Sequence, residues 1–333
     1  MIVRARSPYI IFINEVGQTS GKLELRIWNS DETKPTLPTY SFTKSIPSAT
    51  QTEISFNISP YLKDFISNEL NNIDTWYCNF ECRLFSNNVE LTAQKVEGIA
   101  VNGYTSYVDG MNYTIAENDF TPMFNPNIKR QNNNDIGGFL YLFKTNELGY
   151  YKNYSKNILY STTYFESSNI KGLYYLEING DNCRIFDINN VLKLNFYHEE
   201  ICEPILEPQK VEFINRYGGL DFIWFFKMRT DSISTESKEY KLLQQGMNYD
   251  TTIGQNAKYN FNGKQSVKMN TGFVNENYNE LIQDLMLSEK VWINSIPAIV
   301  KSSGTEFKTQ IRNKNINYEI EFEYAFDLIN NMQ

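Results

Sequence analysis

The apolar positions are arranged with strand-like periodicity through most of the chain, and one stretch near the middle carries the strongest signal. In Gln209 to Arg229, Val211, Phe213 and Asn215 alternate with Glu212 and Ile214, and Leu220 to Phe226 is an almost unbroken apolar run. Between them lie Arg216, Tyr217, Gly218 and Gly219, whose glycines can take the positive φ that a tight reversal needs. This predicts a β-hairpin whose second strand is buried on both faces. Near the N-terminus, Phe12-Ile13-Asn14, Val16-Gly17 and Leu23 to Trp28 echo Phe213-Ile214-Asn215, Tyr217-Gly218 and Leu220 to Trp224. The echo raises an internal duplication as an expectation, with Tyr9–Ile13 and Leu23–Trp28 as the first hairpin.

The first part of the chain continues in the same manner. Thr33 to Pro47 reads as an extended loop or edge strand, and Ile54 to Ile58 as a short alternating strand. Ser59 then suits a helix cap and Pro60 a first turn, with Leu62, Phe65, Ile66 and Leu70 on one face, which predicts a short helix over 60–71. Trp76 to Phe85 alternates again and is expected to pair with Val89 to Val101 through a turn at Asn87-Asn88. Pro122, Pro126 and the run Gln131 to Asn134 predict a loop, placed as a linker over 118–135. Short strands follow at Phe139–Phe143, Ile158–Tyr164, Leu173–Ile178, Cys183–Ile188 and Val191–Tyr197, with Asn179-Gly180 as a hairpin turn.

The last third repeats this order. Two short strands are expected around Asn262-Gly263, and a helix over 275–290 from the stripe Tyr278, Leu281, Ile282, Leu285 and Met286. Trp292 follows this helix as Trp76 follows the earlier one. Finally Ile316, Tyr318, Ile320, Phe322 and Tyr324 alternate with Asn317, Glu319, Glu321 and Glu323 in the clearest strand pattern of all. The fold class expected is mainly β: two tandem β-sandwich-like domains, 1–117 and 136–333, each with one packed α-helix.

Composition agrees with this class. With 333 residues, 41% of them hydrophobic, the chain is long enough for two cores. Its 23 Tyr and 22 Phe favour strands. The formal net charge of -8 argues against binding nucleic acid by neutralising phosphates. No window approaches the roughly 18 apolar residues of a membrane-spanning helix, and the N-terminus lacks a targeting pattern.

Candidate chemistry is sparse. His198 is the single histidine, which excludes multi-histidine metal sites and His-based triads with a second imidazole partner. Tyr197 to Cys202 places His198, two glutamates and a thiol close together, a candidate metal or nucleophile corner, but more often such a group is the polar end of a strand. Cys78, Cys82, Cys183 and Cys202 have the spacing of neither a zinc site nor a disulfide framework. No glycine pair has the spacing of a phosphate loop. No catalytic residue, metal ligand or cofactor is expected. Glu319, Glu321 and Glu323 share a strand face: a solvated face, or an acidic row toward a neighbour or a lumen. Tyr150, Tyr151, Tyr154, Tyr160, Tyr164, Tyr174 and Tyr175 are numerous enough for a protein interface or a sugar-stacking platform, though core packing would account for most of them. Tyr150, Tyr151 and Tyr217 are the candidate interface or lumen residues.

The segment around Cys202-Glu203-Pro204, Val211 to Gly219 and Phe225-Phe226-Lys227 resembles virion proteins of tailed phages infecting Bacteroidetes-type bacteria, crAss-like phages among them. Asn270 to Val274, Leu287 to Ile293 and Tyr318 to Asn330 extend the resemblance, which covers roughly residues 200 to 333. It implies a non-enzymatic subunit of a tail ring or tail tip, located in the virion and assembled in the host cytoplasm. The expected partners are copies of itself, in a ring of roughly six or twelve subunits, and other tail proteins. The acidic balance would let DNA pass a lumen unbound. The alternative is a receptor- or carbohydrate-binding module at the tail periphery.

Overall fold

A computed structural model describes residues 1–29, 32–46, 53–70, 72–116, 120–132, 138–144, 149–155, 158–165, 172–178, 182–200, 207–242, 252, 254–307 and 316–330. The protein is mainly β and divides into two compact units. The first is Met1–Cys202 with Phe213–Phe222; the second is Glu203–Glu212 with Ile223–Gln333. Each contains one α-helix among its described residues, α1 (Ser59–Phe65) and α2 (Tyr278–Met286).

In the first unit the largest sheet runs Tyr40–Ser45, Ser20–Trp28, Tyr77–Ser86, Val96–Val101, Ile2–Arg4, Thr114–Ile115. Alternation sends Leu23, Leu25 and Ile27 to the same core as Cys78, Phe80, Cys82 and Leu84. The second layer is the antiparallel pair Ile10–Ile13 and Ile54–Asn57, whose Ile11, Ile13, Ile54 and Phe56 enter that core with Leu62 and Ile66. The expected N-terminal hairpin is therefore corrected: Ile10–Ile13 pairs with Ile54–Asn57, while Ser20–Trp28 pairs with Tyr40–Ser45 and Tyr77–Ser86. The chain around Gly17 carries the backbone from one layer to the other. Gly21 fits there because a Cβ would sit 2.9 Å from an Ile54 methyl.

α1 is shorter than 60–71. Ile66 is already extended, at φ -89 and ψ 107, so Leu70 lies beyond the helix. Ser59 lies inside the helix rather than capping it. Its Oγ accepts from Tyr9 N at 2.7 Å and donates to Ser7 O at 2.6 Å, tying the helix start to the N-terminal segment. The turn at Asn87-Asn88 forms as expected, with both residues at positive φ (47 and 66).

The linker expected at 118–135 falls inside the first unit. Phe120–Pro122 and Arg130–Asn132 are strands there, paired with Gly138–Lys144 and Leu192–Glu200. Gly138–Lys144 also pairs with Gly172–Ile178. Gly149–Ser155 lies between Ile158–Tyr164 and Asn182–Asp187. The Asn179-Gly180 turn and Cys202 lie outside the described residues.

The central hairpin forms, from Gln209–Ile214 and Leu220–Phe225. Its tip residues, Phe213–Phe222, are members of the first unit and its outer ends of the second. The sheet of the second unit continues from this pair through Val291–Ile293, Ile296–Val300, Glu319–Tyr324 and Asn256–Asn270 to Arg229–Lys241 at the edge. α2 buries Tyr278, Leu281, Ile282 and Leu285, and is shorter than the expected 275–290. Asn262-Gly263 is no turn. It lies within one long strand, Asn256–Asn270, whose partner Arg229–Lys241 shows no apolar alternation in sequence. The strand order of this sheet differs from that of the first, so the sequence echo does not extend to the strand pairing.

Candidate assembly surfaces

The expected site residues divide sharply between core and surface. Tyr150 and Tyr151 are neighbours on one strand, so their rings point to opposite faces, and both are buried, at 9% and 4% exposure. Tyr150 stacks on Phe186 at 5.3 Å between ring centres, and Tyr151 packs on Phe165 at 5.7 Å. Neither supplies an interface, and the expectation is corrected: this strand is covered on both faces. Tyr217 is half-buried in the hairpin turn, where the Arg4 guanidinium lies 5.0 Å from its ring centre.

Glu319, Glu321 and Glu323 do share one face of Glu319–Tyr324. Each meets a lysine: Glu319 with Lys268, Glu321 with Lys301 at 3.0 Å, and Glu323 with Lys264 at 3.4 Å. The row is a ladder of alternating sign. The glutamates are thus each paired with a lysine rather than forming a row of one sign.

His198 faces the interior. It packs edge-on against Phe196 at 5.5 Å, and neither ring nitrogen has a hydrogen-bond partner. Burial, with Arg130 and Lys129 nearby, pushes its pKa down to about 3, so it is neutral near pH 7. Glu199 is on the exposed face of the same strand, and Cys202 is outside the described residues, so no metal corner is assembled from what is described. Among the described residues no group of three or more His, Cys, Asp or Glu side chains is placed to hold a metal ion.

The interior polar groups serve the hairpin tip instead. Arg130 Nε and Nη2 donate to the two Asp221 carboxylate oxygens at 2.8 and 2.7 Å, and Nη1 donates to the carbonyls of Asn125 and Ile128. Asn215 Nδ2 donates to Met123 O at 2.8 Å, and Asn215 Oδ1 accepts from the N–H groups of Tyr217 and Gly219. Backbone contact is close: a Cβ at Gly219 would lie 2.5 Å from Met123 O, and one at Gly103 2.5 Å from Arg216 O. The two charges thus lie in a fully bonded buried network, which fixes the tip in one arrangement. Sequence alone could not find this pair, because its members are 91 residues apart.

A second network lies on the first sheet. Glu81 is fully buried and receives Lys34, Arg83 at 3.0 Å and Lys95 at 2.7 Å, with Arg26 at 3.8 Å. Burial alone would raise its pKa, but hydrogen bonds from Lys34, Lys95 and Arg83 outweigh it and hold the carboxyl at about 2.

Several surfaces of the described residues expose apolar groups, these two among them. In the first unit, Tyr107, Val108 and Met111 are exposed on a turn fixed by reciprocal Ser106–Asp109 hydrogen bonds and by Asn112, which bonds to both N and O of Ile10. In the second unit, Arg229–Lys241 and Asn256–Asn270 form a ribbon. Glu319–Tyr324 pairs with it over Ser266–Asn270, and Asp327, Leu328 and Ile329 hydrogen-bond to Asn262 and Gly263, so among the described residues the ribbon is two strands wide only beyond that point. That outer part, from Ser237 to Lys241, spans about 15 Å. Ile233, Tyr240, Tyr259 and Phe261 are exposed along the ribbon. Asn260 at φ 54 marks a bulge where Asn260 and Phe261 together face Ser237.

No family model matches the chain, and no curated protein matches it. Among solved structures, a crystal structure of the periplasmic chaperone SfaE aligns with 58% of this chain and 89% of the chaperone, at 11% identity and a TM-score of 0.17. At that TM-score the likeness carries no argument about fold or function. No helix among the described residues is long and apolar enough to cross a membrane.

Proposed function

We propose that the chain is a non-enzymatic structural subunit of a phage tail, closing into a ring with its own copies and joining other tail proteins around the DNA path. The observation that carries this reading is the ribbon of Arg229–Lys241 and Asn256–Asn270. A two-stranded ribbon is marginally stable in water, and this one exposes apolar residues over its outer length. A partner that covers it removes both costs. The resemblance of residues 200–333 to phage tail proteins supports the same reading, since it includes the sheet that carries the ribbon. The reading places the chain in the virion, with assembly in the host cytoplasm. The lumen role rests on net charge alone, because Glu319, Glu321 and Glu323 are paired with lysines. Glycan binding at the tail periphery is the weaker alternative: of the tyrosines proposed to form its stacking platform, Tyr150 and Tyr151 are buried, while Tyr164 is exposed.

Native mass spectrometry of the full chain, beside a variant with residues 237–261 replaced by Asn-Gly, tests the reading. An oligomer for the full chain and a folded species of lower order for the variant is the expected result. A full chain that stays monomeric across micromolar concentrations would contradict it.

A further inference from the structure

Among the described residues the strand Arg229–Lys241 is the last of its sheet, with Asn256–Asn270 on one side only. It has no Pro and no Gly, 12 of its 13 residues are exposed, and its six charged side chains restrict pairing to registers that set opposite charges against each other. We propose that its free edge pairs antiparallel with the same strand of a second copy of this chain, about a two-fold axis at Ser234. This rests on the assembly reading above and names the contact the ribbon makes.

The choice of a second copy follows from charge and register. A two-fold axis normal to the sheet keeps each residue on its own face, so odd positions meet odd positions and even meet even. With the axis at Ser234, Arg229 lies opposite Glu239 of the partner subunit, and Ile233 opposite Thr235 of the partner subunit. Thr230 then faces Lys238 of the partner subunit, and Ser232 faces Glu236 of the partner subunit. The Arg–Glu pair occurs twice, and no like charges are opposed. Moving the axis one residue, to Thr235, sets Arg229 against Lys241 of the partner subunit and Asp231 against Glu239 of the partner subunit, each twice. Opposed like charges across strands are destabilising, so the sequence selects the register at Ser234 over this neighbour.

Small side chains at Ser232, Ser234 and Thr235 allow close approach at the axis, where the two copies of Ser234 meet. Pairing joins the two ribbons edge to edge, so that the outermost strand of each gains a hydrogen-bonding neighbour. Within each chain Arg229 already meets Asp231 at 3.2 Å and Glu239 meets Lys258 at 3.0 Å. The intermolecular pairs would extend these into one charge network across the axis. A two-fold contact closes on itself, so it joins subunits in pairs. Combined with head-to-tail closure, it would stack two rings into an assembly of dihedral symmetry, the route to about twelve subunits rather than six.

The test is oxidative cross-linking of Ser234→Cys and, as a control, Lys241→Cys, each read on a non-reducing gel beside native mass spectrometry. Both positions are exposed, Cys78, Cys82 and Cys183 are buried, and both variants carry Cys202→Ser to remove the fourth thiol. In the proposed register the two copies of residue 234 are adjacent, whereas the two copies of residue 241 are about 45 Å apart along the strands. The expected result is a disulfide-linked dimer for Ser234→Cys, severalfold more abundant than for Lys241→Cys. Arg229→Glu should lower the dimer yield, and Arg229→Glu with Glu239→Arg should restore it. Equal cross-linking at both positions, or an oligomer by mass with no link at residue 234, would overturn the pairing and leave the assembly reading standing. A monomer by mass with no link would overturn both.

Discussion

Asp221→Ala probes the buried network that holds the hairpin tip. The substitution removes both acceptors from Arg130 Nε and Nη2 and leaves a guanidinium, 1% exposed, without the carboxylate it pairs with. Removing one member of a buried pair costs about 3–5 kcal/mol, because the remaining charge stays desolvated. Against a domain stability of about 5–15 kcal/mol this is a large loss. Removing both charges, with Arg130→Met and Asp221→Leu, avoids the orphaned ion and should cost much less than the sum of the two single changes. Urea unfolding followed by circular dichroism, with midpoints compared at constant slope, measures each term. A single-variant loss under about 1 kcal/mol, or a double variant that behaves additively, would refute the claim that the pair acts as a unit.

Acid should destabilise the first unit in two stages. The unfolded His198 takes up a proton below about pH 6.5, while the buried ring resists it until about pH 3. Stability therefore falls with pH across that window, by about 2 kcal/mol at pH 5, and His198→Phe should remove this component from the pH profile. The folded Glu81 carboxyl lies at about 2, below its ordinary 4.5, so its stabilisation is complete above pH 4.5 and is lost as pH falls toward 2. That term, screened because Lys34, Arg83 and Lys95 reach solvent, is about 1–3 kcal/mol and should vanish in Glu81→Gln. Gly219→Ala places a Cβ 2.5 Å from a backbone oxygen and should lower stability by about 1–3 kcal/mol. Gly304→Ala, which meets nothing within 4 Å, should stay near neutral in the same denaturation assay.

What the sequence made legible was local. The strand Glu319–Tyr324, the Asn87-Asn88 turn, the central hairpin and both helices follow from alternation, turn chemistry or an apolar stripe, all carried by neighbouring residues. The parallel pairing of Ile2–Arg4 with Val96–Val101 joins residues almost a hundred positions apart, and no local pattern encodes it. Arg229–Lys241 escaped for another reason. It is exposed on both faces, so its side chains have no period of two, yet it is the strand on which the assembly reading rests. The tyrosines misled because Tyr is equally at home in a core and at an interface. Adjacent Tyr150 and Tyr151 required two covered faces, a fact set by Phe186 on another strand and by Phe165 just after Ile158–Tyr164.

The central claim is self-assembly into a closed structural ring. Negative-stain electron microscopy of the purified full chain tests it most directly. The account predicts closed particles with a central hole and rotational symmetry, lost when residues 237–261 are replaced by Asn-Gly. Uniform single-chain particles for the full chain, unchanged by that replacement, would contradict it.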